Sequence, residues 1–424
     1  MVRRPPAFAD RQSHEGGAVT HAARILEPAL EMLSVGDPQA AYKYLKPLAD
    51  VGLESAKPFV ERLASEPSVT TSEVMPQGDQ PPVTWSEVSE HLIRRLYIDE
   101  QWMVQEDGRL TWWPWFLEQS FSLTHAGYFG GDQAVDPWLT VTANIDIARV
   151  PEDMGVEFAS EVNSTFPLGA LVYDGQVLSM RGTLTLSSLN RNMLRLFHES
   201  VLAQATVAHE VAVFLQERGF EVCESQHPIN GVRQAADELL GFFATSGRDV
   251  PPGPDLLEKI HAARPRYLEE LVNLGGLTLG WSNDEVDFVT LREEPLLDVA
   301  IALPTDDADN ARYGTGIRLI VRMLPPGRQF GPEALNYVNL DLLNYGGLTM
   351  LGNVRTDELS EQWGSYYCTY LTSGALEEAS NIDDRALPVE VLNAVLHSMG
   401  PARVLQDVFL REAGSDPQAG QEGR

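Results

Sequence analysis

Apolar residues recur in two different rhythms along the chain. Between His21 and Ala64, Ile25, Leu26, Ala29, Leu30 and Leu33 follow helical spacing, GDP at 36–38 interrupts it, and AAYKYLKPLADVGLESAKPFVERLAS resumes it. This predicts a module of two or three short antiparallel helices over 18–64. Residues 65–82, rich in Ser, Thr, Pro and Gly, read as a linker. WSEVSEHLIRRLYI (85–98) is an amphipathic helix with Thr84 as its N-cap. The period then drops to two: LTWWPWF, FSLTHAGYF and WLTVTANIDIARV alternate and are rich in β-branched and aromatic side chains, as antiparallel strands require. Helical spacing returns over 151–166, opened by Pro151 and an acidic first turn. Residues 169–186 form two alternating runs around Asp174-Gly175, a strong hairpin signal. A long helix over 190–219 follows, with Ser188 or Asn190 as N-cap and Gly219 at its end.

The stretch from about 84 to 220 matches that from about 232 to 410 in order and spacing. GRLTWW (108–113) faces GGLTLG (275–280), FLEQSFSL (116–123) faces LLDVAIAL (296–303), and EVNSTFPLGALVYDG (161–175) faces YVNLDLLNYGGLTMLG (337–352). Trp138 lies 24 residues before Val162, and Thr315 lies 23 before Val338. The second stretch reads as helix 232–245, a basic helical insert at 255–272, strands 274–282, 286–303 and 315–324, helix 331–345, strands 346–354 and 364–373, and helix 387–410. The expected fold is α+β: two tandem α-β-β-β-α-β-β-α domains, 83–225 and 230–411, each with helices on a five-stranded antiparallel sheet. Residues 1–17 and 412–424 lack an apolar period and are expected to be disordered.

That element order, with the GxLT, VN and GAL positions and the final helix, resembles the type III secretion chaperone fold shared with YbjN-type proteins, which occurs in tandem in actinobacterial chains. GDPQAAYKYLKPLADVGLESAKPFVERLA resembles a tetratricopeptide or Sel1 helical hairpin. The resemblance implies an acidic protein that binds extended or helical segments of partner proteins. Family members are short single domains that dimerise. Two copies in one chain therefore imply an intramolecular pseudo-dimer, and a homo-oligomer of the whole chain is a further possibility.

Charge agrees with that implication. Sixty-one acidic against 31 basic side chains leave −30 over 424 residues, which repels phosphate backbones and anionic lipid and makes nucleic acid and membranes poor partners. No run of eighteen apolar residues and no signal-peptide pattern follows the N-terminal arginines, so a soluble, cytoplasmic protein is expected. Cys223 and Cys368 are too few for a disulfide framework or zinc site and read as thiols of a reducing compartment. Only Lys43, Lys46, Lys57 and Lys259 are lysines, an arginine bias typical of GC-rich bacterial genomes.

Catalytic patterns are weak. His209-Glu210 lacks the second histidine of a zincin helix, and His198 stands eleven residues from His209, about 16 Å along a helix. NLGGLTLG and NYGGLTMLG lack phosphate-loop spacing and read as turns before strands. Asp306, Asp307 and Asp309 lack the glycine and terminal Glu of a calcium loop. Cys368 as nucleophile would need a base such as His397. No metal or cofactor is expected. The binding candidates are Trp112, Trp113, Trp115, Phe116 and Trp281, because tryptophan anchors interfaces, although packing between the two copies would also bury such rings. The expected function is a non-enzymatic adaptor or chaperone-like protein holding a client segment. The alternatives are a structural or regulatory subunit, or an enzyme with an acid–base pair such as Glu157 and Asp174 between the copies.

Overall fold

The computed structural model describes residues 82–128, 137–187, 190–237, 240, 254–273, 277–282, 286–291, 298–303, 316–322, 329–345, 347–357, 364–382 and 386–415. The expected helical module, nearly all of the linker and the acidic 304–314 loop lie outside them. The described chain is mixed α+β, with seven α-helices and two antiparallel sheets.

Helix α1 (Trp85–Arg95) opens as expected, the Thr84 hydroxyl accepting the Glu87 N–H at 3.2 Å. β1 (Met103–Glu106) and β2 (Arg109–Trp112) then pair around Asp107-Gly108, where Gly108 takes a φ of +70° that a tight two-residue turn needs. β3 (Gln119–Tyr128), β4 (Pro137–Arg149), helix α2 (Glu152–Thr165), β5 (Ala170–Tyr173), β6 (Leu178–Leu186) and helix α3 (Met193–Glu217) follow. The Asp174 carboxylate closes the β5–β6 turn by accepting from Gln176 N–H at 3.1 Å and Val177 N–H at 3.0 Å. The sheet runs β1-β2-β3-β4-β6-β5, with a short β7 (Glu221–Val222) on the end of β4.

The second sheet is preceded by helix α4 (Pro254–Asn273) and contains β8 (Leu277–Ser282), β9 (Val286–Leu291), β10 (Asp298–Ala302) and β11 (Ile317–Arg322). Helix α5 (Pro332–Leu343), β12 (Asn353–Arg355), β13 (Tyr366–Leu371), and helices α6 (Ser373–Ile382) and α7 (Ala386–Ser415) complete it. Its order, β8-β9-β10-β11-β13-β12, traces the same path as the first. α3 lies on β4 and β6, and α7 lies on β11 and β13. α1 packs against α3 as α4 packs against α7, and one large hydrophobic core is shared by both sheets, with a smaller separate cluster of Ala300, Ile320, Tyr366 and Cys368.

Several expectations are corrected. Four strands rather than three precede the middle helix in each sheet, making the main path six strands instead of five. The 286–303 run is two strands, β9 and β10, paired antiparallel. The segment read as a basic insert is α4, the counterpart of α1, and its Asp255, Glu258, Glu269 and Glu270 outnumber Lys259, Arg264 and Arg266. Residues 232–237 of the expected 232–245 helix are not helical. α3 takes Asn192 as N-cap, because Asn190 instead holds the preceding turn through Ser187 N–H and Thr185 O. α7 continues to Ser415, into the expected tail.

The inner edges β5 and β12 are sealed reciprocally. α2 touches both β5 and β12, and α5 touches both β12 and β5. Asn163 of α2 replaces a strand neighbour for Leu171, accepting its N–H and donating to its carbonyl, both at 2.8 Å. Asn339 of α5 does the same for Val354, at 2.7 and 2.8 Å. Between them, Asn336 of α5 crosses to the other sheet and bonds Tyr173 N–H and C=O, each at 2.8 Å. The seven-residue excess between Asn339 and Val354 is also used. Met350 exchanges backbone hydrogen bonds with Thr183 on β6, and Thr349 Oγ1 accepts from Thr185 N–H.

Candidate functional site

The aromatic run is spent largely inside the protein. Trp112 is fully buried and Trp113 is 3% exposed, while Trp115 and Phe116 are half-buried. Trp112 belongs to the main core, and the arm from Cys223 to Asp237 lies back over Trp113, Trp115 and Phe116. Cys223 N–H donates to Ile147 O, Ser225 N–H to Phe116 O and Asp237 N–H to Pro114 O, at 2.7 to 2.9 Å. Trp113 Nε1 donates to Ser225 Oγ and Trp115 Nε1 to Gln234 O, each at 3.2 Å. Arg233 donates to Trp113 O at 2.7 Å and pairs with Asp237 at 3.1 Å. The Trp115 ring stacks on His209, 5.7 Å between centroids. These rings fasten the connection between the sheets to the outer side of the first. Trp281 stands on β8 opposite Phe288, away from the other four in the fold.

The same arm covers the outer edge at β1. His227 Nδ1 accepts the N–H groups of Ile229 and Asn230, which leaves its proton on Nε2, 3.4 Å from Met103 O. Asn230 Nδ2 donates to Gln101 O at 2.5 Å. β8, the corresponding outer strand of the second sheet, pairs with β9 alone among the described strands, and Leu279 there is 38% exposed.

The catalytic candidates are dispersed. Cys368 packs with Ala300, Ile320 and Tyr366, whereas its β13 neighbours Tyr367 and Thr369 border, with His397, a cavity of about 20 Å³. Alternation along the strand therefore points Cys368 and His397 to opposite faces. Asp174 is committed to its turn and to Arg181 at 3.3 Å, and Glu157 is exposed on α2. His209 Nδ1 donates to Ala205 O at 2.6 Å, and burial holds the ring neutral by pulling its pKa down to about 4. Among the described residues, no group of three or more His, Cys, Asp or Glu side chains could hold a metal ion. No helix there is long and apolar enough to cross a membrane.

Sequence reasoning missed a polar cleft of about 530 Å³ between α1, the turn that leads into α3 together with its first turn, and α6. Arg94, Arg95, Arg191, Arg195 and His91 line it, with Glu87 and Glu378. Arg191 pairs with Glu87 at 3.5 Å, Arg195 with buried Glu390 at 2.6 Å, and Arg95 with Glu378. Asn192 also donates to Glu390 at 3.1 Å. His91 Nε2 lies 3.2 Å from His198 Nδ1. The one available signal was the density of arginine in IRRL and NRNMLR within a chain so short of positive charge.

No family model, curated protein or solved structure matches the chain.

Proposed function

We propose that the chain is a non-enzymatic, protein-binding adaptor of chaperone-like build. Two tandem copies of one α+β unit are joined as a pseudo-dimer, and an extended client segment adds to β8. The matching strand paths and the reciprocal contacts of α2 with β12 and α5 with β5 support the duplication, since reciprocity is the mark of a two-fold interface. The observation that carries the binding reading is that β8 pairs with β9 alone among the described strands, since an edge strand offers a ladder of backbone donors and acceptors to an added strand. The net charge of −30 favours a basic or neutral client over nucleic acid or anionic membrane. Cys223 and Cys368, which form no disulfide, suit a cytoplasmic setting.

The test is co-purification with tagged wild-type protein and with Leu279→Lys, a substitution that places a charge on an exposed edge and discourages strand addition. The wild type is expected to retain one stoichiometric partner that the variant loses. Equal retention by both proteins contradicts docking at β8, and no partner for either contradicts the adaptor reading.

A further inference from the structure

The arginine-lined cleft lies apart from β8 and has features that protein binding at that edge does not explain. It stands where the two sheets' helices meet: Arg94 and Arg95 come from α1, Arg191 from the turn before α3, Arg195 from the first turn of α3, and Glu378 from α6. Three guanidinium groups are held from one side by carboxylates, which fixes their positions. Arg195 is 14% exposed, and its buried Nε has no acceptor among the described residues. Arg94 is exposed and makes no ion pair among the described residues. The positive end of the 25-residue α3 adds to the same field. His91 lines the same cleft, its pKa lowered to about 4 first by burial and then by the charges of His198, Arg95 and Arg94.

We propose that this cleft binds a small molecule bearing a phosphate-type oxyanion, clamped by Arg94, Arg191 and Arg195. Guanidinium forks match phosphate oxygens in bidentate geometry, and a charge-assisted pair is stronger than a neutral one. About 530 Å³ accommodates a compact metabolite. Leu194 is the apolar lining side chain and His91 the ring, so charge rather than stacking dominates recognition. A compact, multiply charged ligand such as a diphosphate or sugar phosphate suits this lining better than an adenine nucleotide. A small anion is also favoured over an acidic protein segment. The whole-chain charge of −30 repels a second polyanion at long range, whereas a small ligand meets the local arginines within a Debye length. Because Arg95 is tied to Glu378 on α6, an anion here competes with Glu378 for Arg95 and so loosens the link between α1 and α6.

Calorimetric titration of full-length protein with inorganic pyrophosphate and with glucose 6-phosphate, at about 0.15 M salt, tests the assignment directly. Submillimolar binding of at least one is expected, with a raised melting temperature. Arg94→Ala, which removes an exposed side chain, is expected to weaken binding at least about tenfold, and Arg94→Lys to recover it only in part. Arg149→Ala, on β4, is the control and should bind as the wild type does. Absence of binding by both ligands at about 10 mM, or equal weakening by Arg149→Ala and Arg94→Ala, overturns the site. Tighter binding of an oligoglutamate peptide than of pyrophosphate overturns the assignment to a small ligand.

Discussion

Asn336→Ala tests how firmly the two sheets are joined. The wild-type amide accepts from Tyr173 N–H and donates to Tyr173 O, both at 2.8 Å, across the contact between α5 and β5. Asn336 is 8% exposed and Tyr173 is 6% exposed, so truncation strands two backbone groups where water has poor access. A buried polar group left without a partner costs about 1–3 kcal/mol, and a water admitted to the vacated space recovers part of that. The expected loss is about 2–4 kcal/mol for the pair. In urea denaturation this lowers the midpoint with an unchanged slope. Asn336→Asp is the informative comparison: its carboxylate still accepts from Tyr173 N–H but faces Tyr173 O with no proton to donate, so it should be no more stable than alanine. A loss below about 0.5 kcal/mol for Asn336→Ala, the range of an ordinary surface change, refutes the reasoning.

Gly155→Ala should destabilise by about 1–3 kcal/mol in the same assay despite alanine's better helix propensity, because the new Cβ would sit 2.6 Å from the Tyr173 ring; an unchanged or raised midpoint contradicts that packing. Asp287→Ala should cost about 3–5 kcal/mol, since Arg264, bonded to both carboxylate oxygens, and Tyr267 Oη at 3.1 Å would lose their fully buried partner; a loss near 1 kcal/mol would place the pair in solvent. Burial lowers His209 and His397 to about 4 from an ordinary value of 6.5, so the folded state binds fewer protons than the unfolded chain between those values. Stability present above about pH 6.5 should therefore fall as the pH drops towards 4, by up to about 1.4 kcal/mol per pH unit for each histidine. His209→Phe should show a shallower decline, and a flat wild-type profile from pH 7 to 4.5 contradicts the assignment.

Much of the fold is legible because its signals are local. Thr84 caps α1, Asp174-Gly175 turns β5 into β6, and the two VN pairs place Asn163 and Asn339, which perform the same task on β5 and β12. The first anchor slips by one strand, because alternation alone does not distinguish the two strands of a hairpin. LTLG of the second anchor lies in β8, which occupies the place of β1, while β9 occupies the place of β2. Asp107-Gly108 carries the same turn signal as Asp174-Gly175 and would have revealed the extra strand. The GAL match also drifts, since the residues after Asn339 are occupied in crossing to Thr183 before β12 begins. Function was less legible because it depends on which surfaces are covered. Nothing local to Trp113 announces that a segment more than a hundred residues later seals it, and the cleft arginines are 96 residues apart between Arg95 and Arg191.

Hydrogen exchange across β8 tests the adaptor reading most directly. The full-length protein should be compared alone and with whatever partner co-purifies stoichiometrically, following the amides of residues 278–282 against those of β2 in the first sheet. Strand addition predicts that exchange slows at β8 on binding, by about tenfold or more, while β2 is unchanged. Protection that appears elsewhere and leaves β8 as fast as in the free protein contradicts the account.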